Sequence, residues 1–233
     1  MKIEVWSDYA CPFCYIGERR LNKAIEQLSA QNDITVEFKS FELDPYASRE
    51  VESATIDRFA VKYGLSKKDA AQRVESISAM GRGEGIDFRY ADTLYTNTFD
   101  ALRVTKLAQE RGHDEIVEKF FDAYFTQNLK LSDPAVIKKI AVECGLDAAE
   151  VDDVLNTDKY ADAVRNDEKQ AAEYAIHSVP YFVINRKYAL SGAQSTEVMR
   201  DALKEILDEE RDQKSFEKLD GMSCGPDGCR FDG

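Results

Sequence analysis

Cys11-Pro12-Phe13-Cys14 lies between an alternating apolar run, Ile3-Glu4-Val5-Trp6, and a helix-like stretch over 15–30. Two cysteines separated by two residues at a strand-to-helix junction form a dithiol whose sulfurs can close on each other. The pattern places Cys11 at the N-cap and Pro12 at the first helical position, where a missing N–H costs nothing. The free N–H groups and the positive end of the helix dipole then point at the Cys11 sulfur. Such a setting favours thiolate over thiol, and thiolate is the nucleophile of disulfide exchange. Cys14, one turn further in, is the expected resolving thiol. A lone C-x-x-C fits redox or metal use; the strand before it, the proline inside it and the helix after it favour redox.

The next alternating run, 34–38, reads as a second strand, so the first forty residues form a βαβ unit with parallel strands. From about residue 48 to 175 the pattern turns helical. Ser66 and Asp69 open one helix as a capping-box-like pair; Asp133 with Pro134, and Asp147 with Glu150, open two others. Further helical runs are expected over 97–111, 113–128 and 158–175. The glycines of 81–85 read as an irregular loop, since no Gly-Lys-Ser/Thr follows to make a phosphate cradle. Cys144 continues the apolar face of Val136, Ile137, Ile140 and Ala141, so it reads as a small core residue. His113 follows Gly112 in a turn. With His177 as the other histidine, a histidine-rich metal site is not expected.

After the helices comes Ser178-Val179-Pro180-Tyr181-Phe182-Val183-Ile184, a proline heading an apolar strand. Proline cannot donate to a ladder, so this one needs a reason. A hairpin to 187–190 and a helix through Val198, Ala202, Leu203, Ile206 and Leu207 follow. The organisation is thus a discontinuous α/β domain (1–46 and 177–210), a helical insertion (47–176) and a polar tail (211–233). In that tail, Cys224 and Cys229 flank Gly-Pro-Asp-Gly, which is turn chemistry. Closing so short a loop contributes only about 2 kcal/mol. The pair is therefore better suited to exchange than to stapling.

The chain carries 44 acidic against 31 basic residues, a net charge of −13. That excludes nucleic acid and anionic membranes as natural partners. No apolar run is long enough to span a bilayer, and no basic-then-apolar leader is seen. The expected compartment is the cytoplasm, where paired cysteines are more often catalytic or metal-binding than structural.

Taken together, βαβ with C-x-x-C at its first helix, a long helical insert and Val-Pro leading into β-β-α resembles the thioredoxin fold, and the insert resembles that of the DsbA family. Residues 3–17, Asn97-Thr98-Phe99 and 178–184 look like the FrnE-like branch. The resemblance implies a protein thiol–disulfide oxidoreductase or isomerase, a monomer or homodimer, with no cofactor and no metal. Its partners would be protein thiols and disulfides, with low-molecular-weight thiols as a further class. It implies that Pro180 is cis and faces the dithiol, and that the Val179 backbone pairs with an extended substrate, with Pro12 and Phe13 on the same surface. It also implies that Cys224 and Cys229 are a second redox pair. Two positions depart from relatives: Phe13 replaces the histidine of the strongly oxidising enzymes, and Leu102 stands where many carry histidine.

Two other readings remain at this point. One resembles the glutathione-dependent kappa-type transferases and 2-hydroxychromene-2-carboxylate isomerases, which need a single active-site hydroxyl or thiol. The other joins Cys11, Cys14, Cys224 and Cys229 in a four-cysteine zinc site.

Overall fold

The structure is a computed structural model that describes residues 1–212 in full and, beyond them, the backbone of 213–220, 222–225 and 228–231. Strand β1 (Lys2–Ser7) feeds helix α1 (Pro12–Gln27), which returns to β2 (Thr35–Ser40). β1 and β2 are parallel, Val5 facing Phe38. The chain then leaves the sheet through α2 (Thr55–Tyr63), α3 (Lys67–Gly83), a 3-10 turn at Tyr90–Asp92, α4 (Phe99–Arg111), α5 (Ile116–Phe125), α6 (Pro134–Glu143), α7 (Ala148–Asn156) and α8 (Ala161–Glu173). It comes back as β3 (Tyr181–Ile184), β4 (Tyr188–Ser191) and α9 (Thr196–Asp220). Both β1–β3 and β3–β4 are antiparallel, giving the order β2-β1-β3-β4. This is a thioredoxin-like α/β fold with a helical insertion between β2 and β3.

The two faces of the sheet have different partners, as the period-two alternation requires. Ile3 and Val5 of β1 and Phe182 and Ile184 of β3 pack with Leu21, Ala24 and Ile25 of α1 and with Met199, Leu203 and Ile206 of α9. On the opposite face Trp6 joins the larger core built by the insertion. Polar groups fix that seam. The Trp6 indole N–H donates to the Asp167 carbonyl at 2.9 Å, and the Asp167 carboxylate accepts from the Ser40 amide at 2.8 Å and pairs with Lys106 at 2.5 Å. A buried carboxylate satisfied by an amide and an ammonium is stable where an unpaired one would not be.

Helix starts follow the caps. Ser66 Oγ accepts the Asp69 amide, Asp133 accepts that of Ala135, and Asp147 accepts those of Ala149 and Glu150. One expectation is corrected. The glycine run is not a loop from residue 81: α3 continues through Gly83. A Cβ on Gly81 would come within 2.5 Å of the Phe88 ring, so the glycine lets Phe88 press against the helix. α9 continues past 211 to Asp220. A two-stranded ladder follows, β5 (Met222–Gly225) with β6 (Gly228–Phe231), whose register sets Cys224 opposite Cys229. The side chains of both cysteines lie outside the described residues.

Candidate active site

The dithiol sits where β1 hands over to α1, at one end of the sheet. Cys11 is the N-cap of α1 in extended conformation (φ −92°, ψ 113°), and Pro12 occupies the first turn. The loop before it is held from inside. Asp8, fully buried, accepts from the Ala10 amide at 3.1 Å, the Leu43 amide at 2.7 Å and the Thr98 hydroxyl at 2.8 Å. Burial still raises the Asp8 pKa, the three hydrogen bonds opposing it. The neighbouring Asn97 accepts the Phe99 amide at 2.9 Å. The Asn97-Thr98-Phe99 stretch thus ties the start of α4 to the cysteine loop, a role that nothing in its sequence spacing discloses.

Cys11 and Cys14 are both free thiols, 4% and 1% exposed. The Cys14 amide donates to the Cys11 carbonyl at 3.1 Å. The Cys11 thiol points at the Val179 carbonyl, 3.5 Å away. The Val179–Pro180 peptide is cis. Gly17 of α1 permits the close approach of that segment, since a Cβ there would lie 3.0 Å from Pro180 Cγ. The structure therefore brings Cys11, Cys14, Pro12, Phe13, Val179 and Pro180 together from the two ends of the discontinuous domain. Leu102 is fully buried in the insertion core.

The two sulfurs have different surroundings. Burial pushes the Cys14 thiol well above the ordinary thiol range; the adjacent Cys11 sulfur adds to this, and the Ser7 hydroxyl and Asp8 backbone oppose it. Behind Cys14 lies a cavity of about 260 Å³ lined in part by Ser7, Glu18, Phe38 and Glu118. Among the described residues Glu18 Oε2 is buried there without a hydrogen-bond partner. Burial, with the Glu118 charge, pushes the Glu18 carboxyl up to about 8 against the opposing Arg19.

In front of Cys11 is a groove of about 500 Å³. One wall is the cysteine motif and residues 177–179. The other comes from the insertion: Arg58, Phe59, Lys62 and Tyr63 of α2, Arg73, Ser76 and Ile77 of α3, and Tyr90 and Tyr95 beyond them. Phe13, 39% exposed, stands at the rim. Sequence reasoning missed these insertion residues. Their only signal was the one-turn spacing of Arg58 and Lys62 on a helix, which is ordinary for a solvated face. His177 is exposed and lines the groove; His113 pairs with Glu115 at 3.3 Å, away from it. Among the described residues no cluster of three His, Cys, Asp or Glu could hold a metal, and no helix is long and apolar enough to cross a membrane.

Residues 2–204 match the family model of the DSBA-like thioredoxin domain. The uncharacterized protein YwbO of Bacillus subtilis is 31% identical over 206 residues, 86% of this chain and 94% of that protein. A probable DsbA oxidoreductase of Streptomyces coelicolor superposes with a TM-score of 0.83 at 35% identity, covering all of both chains. A 2-hydroxychromene-2-carboxylate isomerase superposes with a TM-score of 0.64 at 14% identity, over 91% of this chain and 99% of that one, a likeness of fold alone.

Proposed function

The chain belongs to the family of DSBA-like thioredoxin domains, a family of thiol–disulfide oxidoreductases, and from that premise we propose that it exchanges disulfides through Cys11 as attacking thiol and Cys14 as resolving thiol. The observation that carries this reading is the placement of the Cys11 sulfur at a helix N-terminus, on the floor of a groove, with Cys14 sealed behind it. The Cys11 thiolate attacks one sulfur of a substrate disulfide, that S–S bond breaks, and the leaving thiolate takes a proton from solvent. Cys14 then loses its proton and attacks the Cys11 sulfur, releasing the second substrate thiol. The two cysteines end oxidised and the substrate disulfide reduced. Val179 lines the approach with the cis Pro180 directly behind it, and the Val179 carbonyl, now taken by the Cys11 thiol, is the acceptor for the backbone of an extended substrate. A route on into isomerisation uses the same mixed disulfide.

The compartment we assign is the cytoplasm, where a dithiol of this kind is kept reduced. We extend the reading to the tail: Cys224 and Cys229 act as a second pair exchanging with the first. Residues directly opposed in an antiparallel ladder have Cα atoms about 4.5–5.5 Å apart, within the range a disulfide spans, and their register supports this. Retention of two cysteines in the motif argues against the glutathione-dependent isomerase reading, which needs one.

The test is reduction of insulin disulfides by the full chain alongside Cys11→Ser, Cys14→Ser and Cys224→Ser/Cys229→Ser. Activity lost in the first two and altered in the third supports the scheme. Full turnover without Cys14 overturns the dithiol mechanism in favour of the single-thiol enzymes. A third variant identical to the parent removes the tail from it.

A further inference from the structure

Three cations wall the groove over Cys11. Arg58 and Lys62 on α2 and Arg73 on α3 all line it, and among the described residues no Asp or Glu does. In a chain with 44 acidic and 31 basic residues, three positive groups around one cavity run against the overall charge. None of the three has a carboxylate partner among the described residues. Arg58 lies over the Tyr95 ring, 3.7 Å from its centroid, and its Nε is buried without a hydrogen-bond acceptor. Lys62 sits 5.8 Å from the Tyr63 centroid. The nearby acids line an adjoining hollow shared by Arg58 and Lys62, and neither pairs with them: Asp57 pairs with Lys67 at 2.7 Å, and Asp44 accepts from the Tyr95 hydroxyl at 3.4 Å.

A cavity lined by one sign of charge concentrates counter-ions and raises their association rate by about 10- to 1000-fold at low salt. Guanidinium groups match carboxylates in particular, with paired N–H donors. We propose that the disulfide attacked by Cys11 is an acidic one: its thiol moiety carries carboxylates that dock on Arg58, Lys62 and Arg73, while its apolar stem lies on Phe59, Ile77 and Tyr90. This rests on Cys11 as the attacking thiol and adds the substrate class. The chemistry is unchanged. Cys11 forms the mixed disulfide with the acidic thiol and Cys14 displaces it, so one acidic disulfide leaves as two acidic thiols. The size of the groove admits a molecule of small-peptide dimensions, either free or as the cysteine-bearing segment of an acidic polypeptide.

The experiment follows oxidation of the reduced full chain by three small disulfides: dithiobis(2-nitrobenzoate), with two carboxylates, the neutral 4,4′-dithiodipyridine, and cystamine, with two ammonium groups. Each rate is divided by that of the same reagent with free cysteine. The expected normalised preference for the dianionic over the dicationic reagent is at least about tenfold at low ionic strength, falling several-fold in 0.5 M salt. Arg73→Gln, at the exposed rim, and Arg58→Gln/Lys62→Gln should each lower the anionic-to-neutral ratio several-fold. The disulfides of Glu-Cys and Lys-Cys dipeptides, and longer peptides with the same flanks, locate the source. Saturation by the acidic dipeptide points to a free small thiol; saturation by the acidic peptide alone points to a polypeptide segment. Equal normalised rates for all three reagents, unaltered by salt and by the variants, overturn the proposal and leave the dithiol mechanism standing. Failure of the neutral reagent to oxidise Cys11 would instead count against the mechanism.

Discussion

Cys11 and Cys144 are both buried thiols, 4% and 8% exposed, and both sit at a helix end. They differ in which end. Cys11 is the N-cap of α1, at the positive end of the dipole; its thiol makes no capping hydrogen bond and points at the Val179 carbonyl, and it opens onto a groove. Cys144 is the C-cap of α6, at the negative end of the dipole, where its amide closes the last turn on the Ile140 carbonyl. Burial, with the Glu115 charge, raises its pKa further, Lys119 only partly opposing. The lesson is that burial alone does not set a thiol's role. The direction of the backbone dipole and access to a cavity separate the thiol proposed as nucleophile from a core residue of similar exposure.

Exchanging each sulfur for oxygen puts this contrast at its widest. Cys11→Ser should lower disulfide turnover by about 1000-fold or more, as expected for loss of a covalent nucleophile. Cys144→Ser should stay within about twofold in specific activity of the folded protein, since nothing about its site touches substrate. An insulin-reduction assay on both decides it; comparable losses would break the contrast. Cys14→Ser separates attack from resolution. The Cys11 mixed disulfide should accumulate, visible as a mass adduct on the intact protein, while steady turnover falls by about 100-fold.

The cavity behind Cys14 offers a test through pH. Glu18 titrates near 8 when folded, against an ordinary value of 4.5. The folded state therefore holds a proton that the unfolded chain has lost between these values. Stability from this group is fully present below about pH 4.5 and is lost as pH rises through 8. Glu18→Gln should relieve that loss, so the difference in unfolding free energy between variant and parent should move in the variant's favour by about 3 kcal/mol from pH 5.5 to 8.5. Urea unfolding at the two pH values measures it, and parallel pH profiles would remove Glu18 from the argument.

The smallest effect is in labelling. At pH 7, iodoacetamide should modify Cys11 at least about tenfold faster than Cys14 or Cys144, whose raised pKa values keep them protonated. Peptide mass spectrometry reads the order. Labelling of Cys144 should rise about tenfold per pH unit through the neutral range, because only its thiolate reacts.

Much of this arrangement is legible in the amino-acid order, because it depends on local chemistry. A strand, a cysteine before a proline and an apolar helix mark the α1 N-terminus, and Ser66, Asp133 and Asp147 mark helix starts by hydrogen bonds that reach two or three residues. The apolar periodicity that runs into Gly145 marks Cys144. What could not be read was set by packing between distant segments. Gly81 stays helical because Phe88 fills the space its side chain would take. Thr98 meets Asp8 across 90 residues of sequence. The convergence of Arg58, Lys62 and Arg73 on Cys11 depends on how α2 and α3 dock beside α1, and no local pattern encodes that.

The strand order has a consequence for biosynthesis. β1 pairs on one side with β2, which follows directly, but on the other with β3, which begins only at Tyr181. At about 5–20 residues per second, the ribosome takes roughly 10–35 s to make the intervening chain. Throughout that interval Cys11 and Cys14 exist without the Val179 carbonyl and, for much of it, without the cationic helices. A nascent dithiol of this kind has no fold to shield it. Its survival until translation ends depends on the reducing power of the surrounding cell.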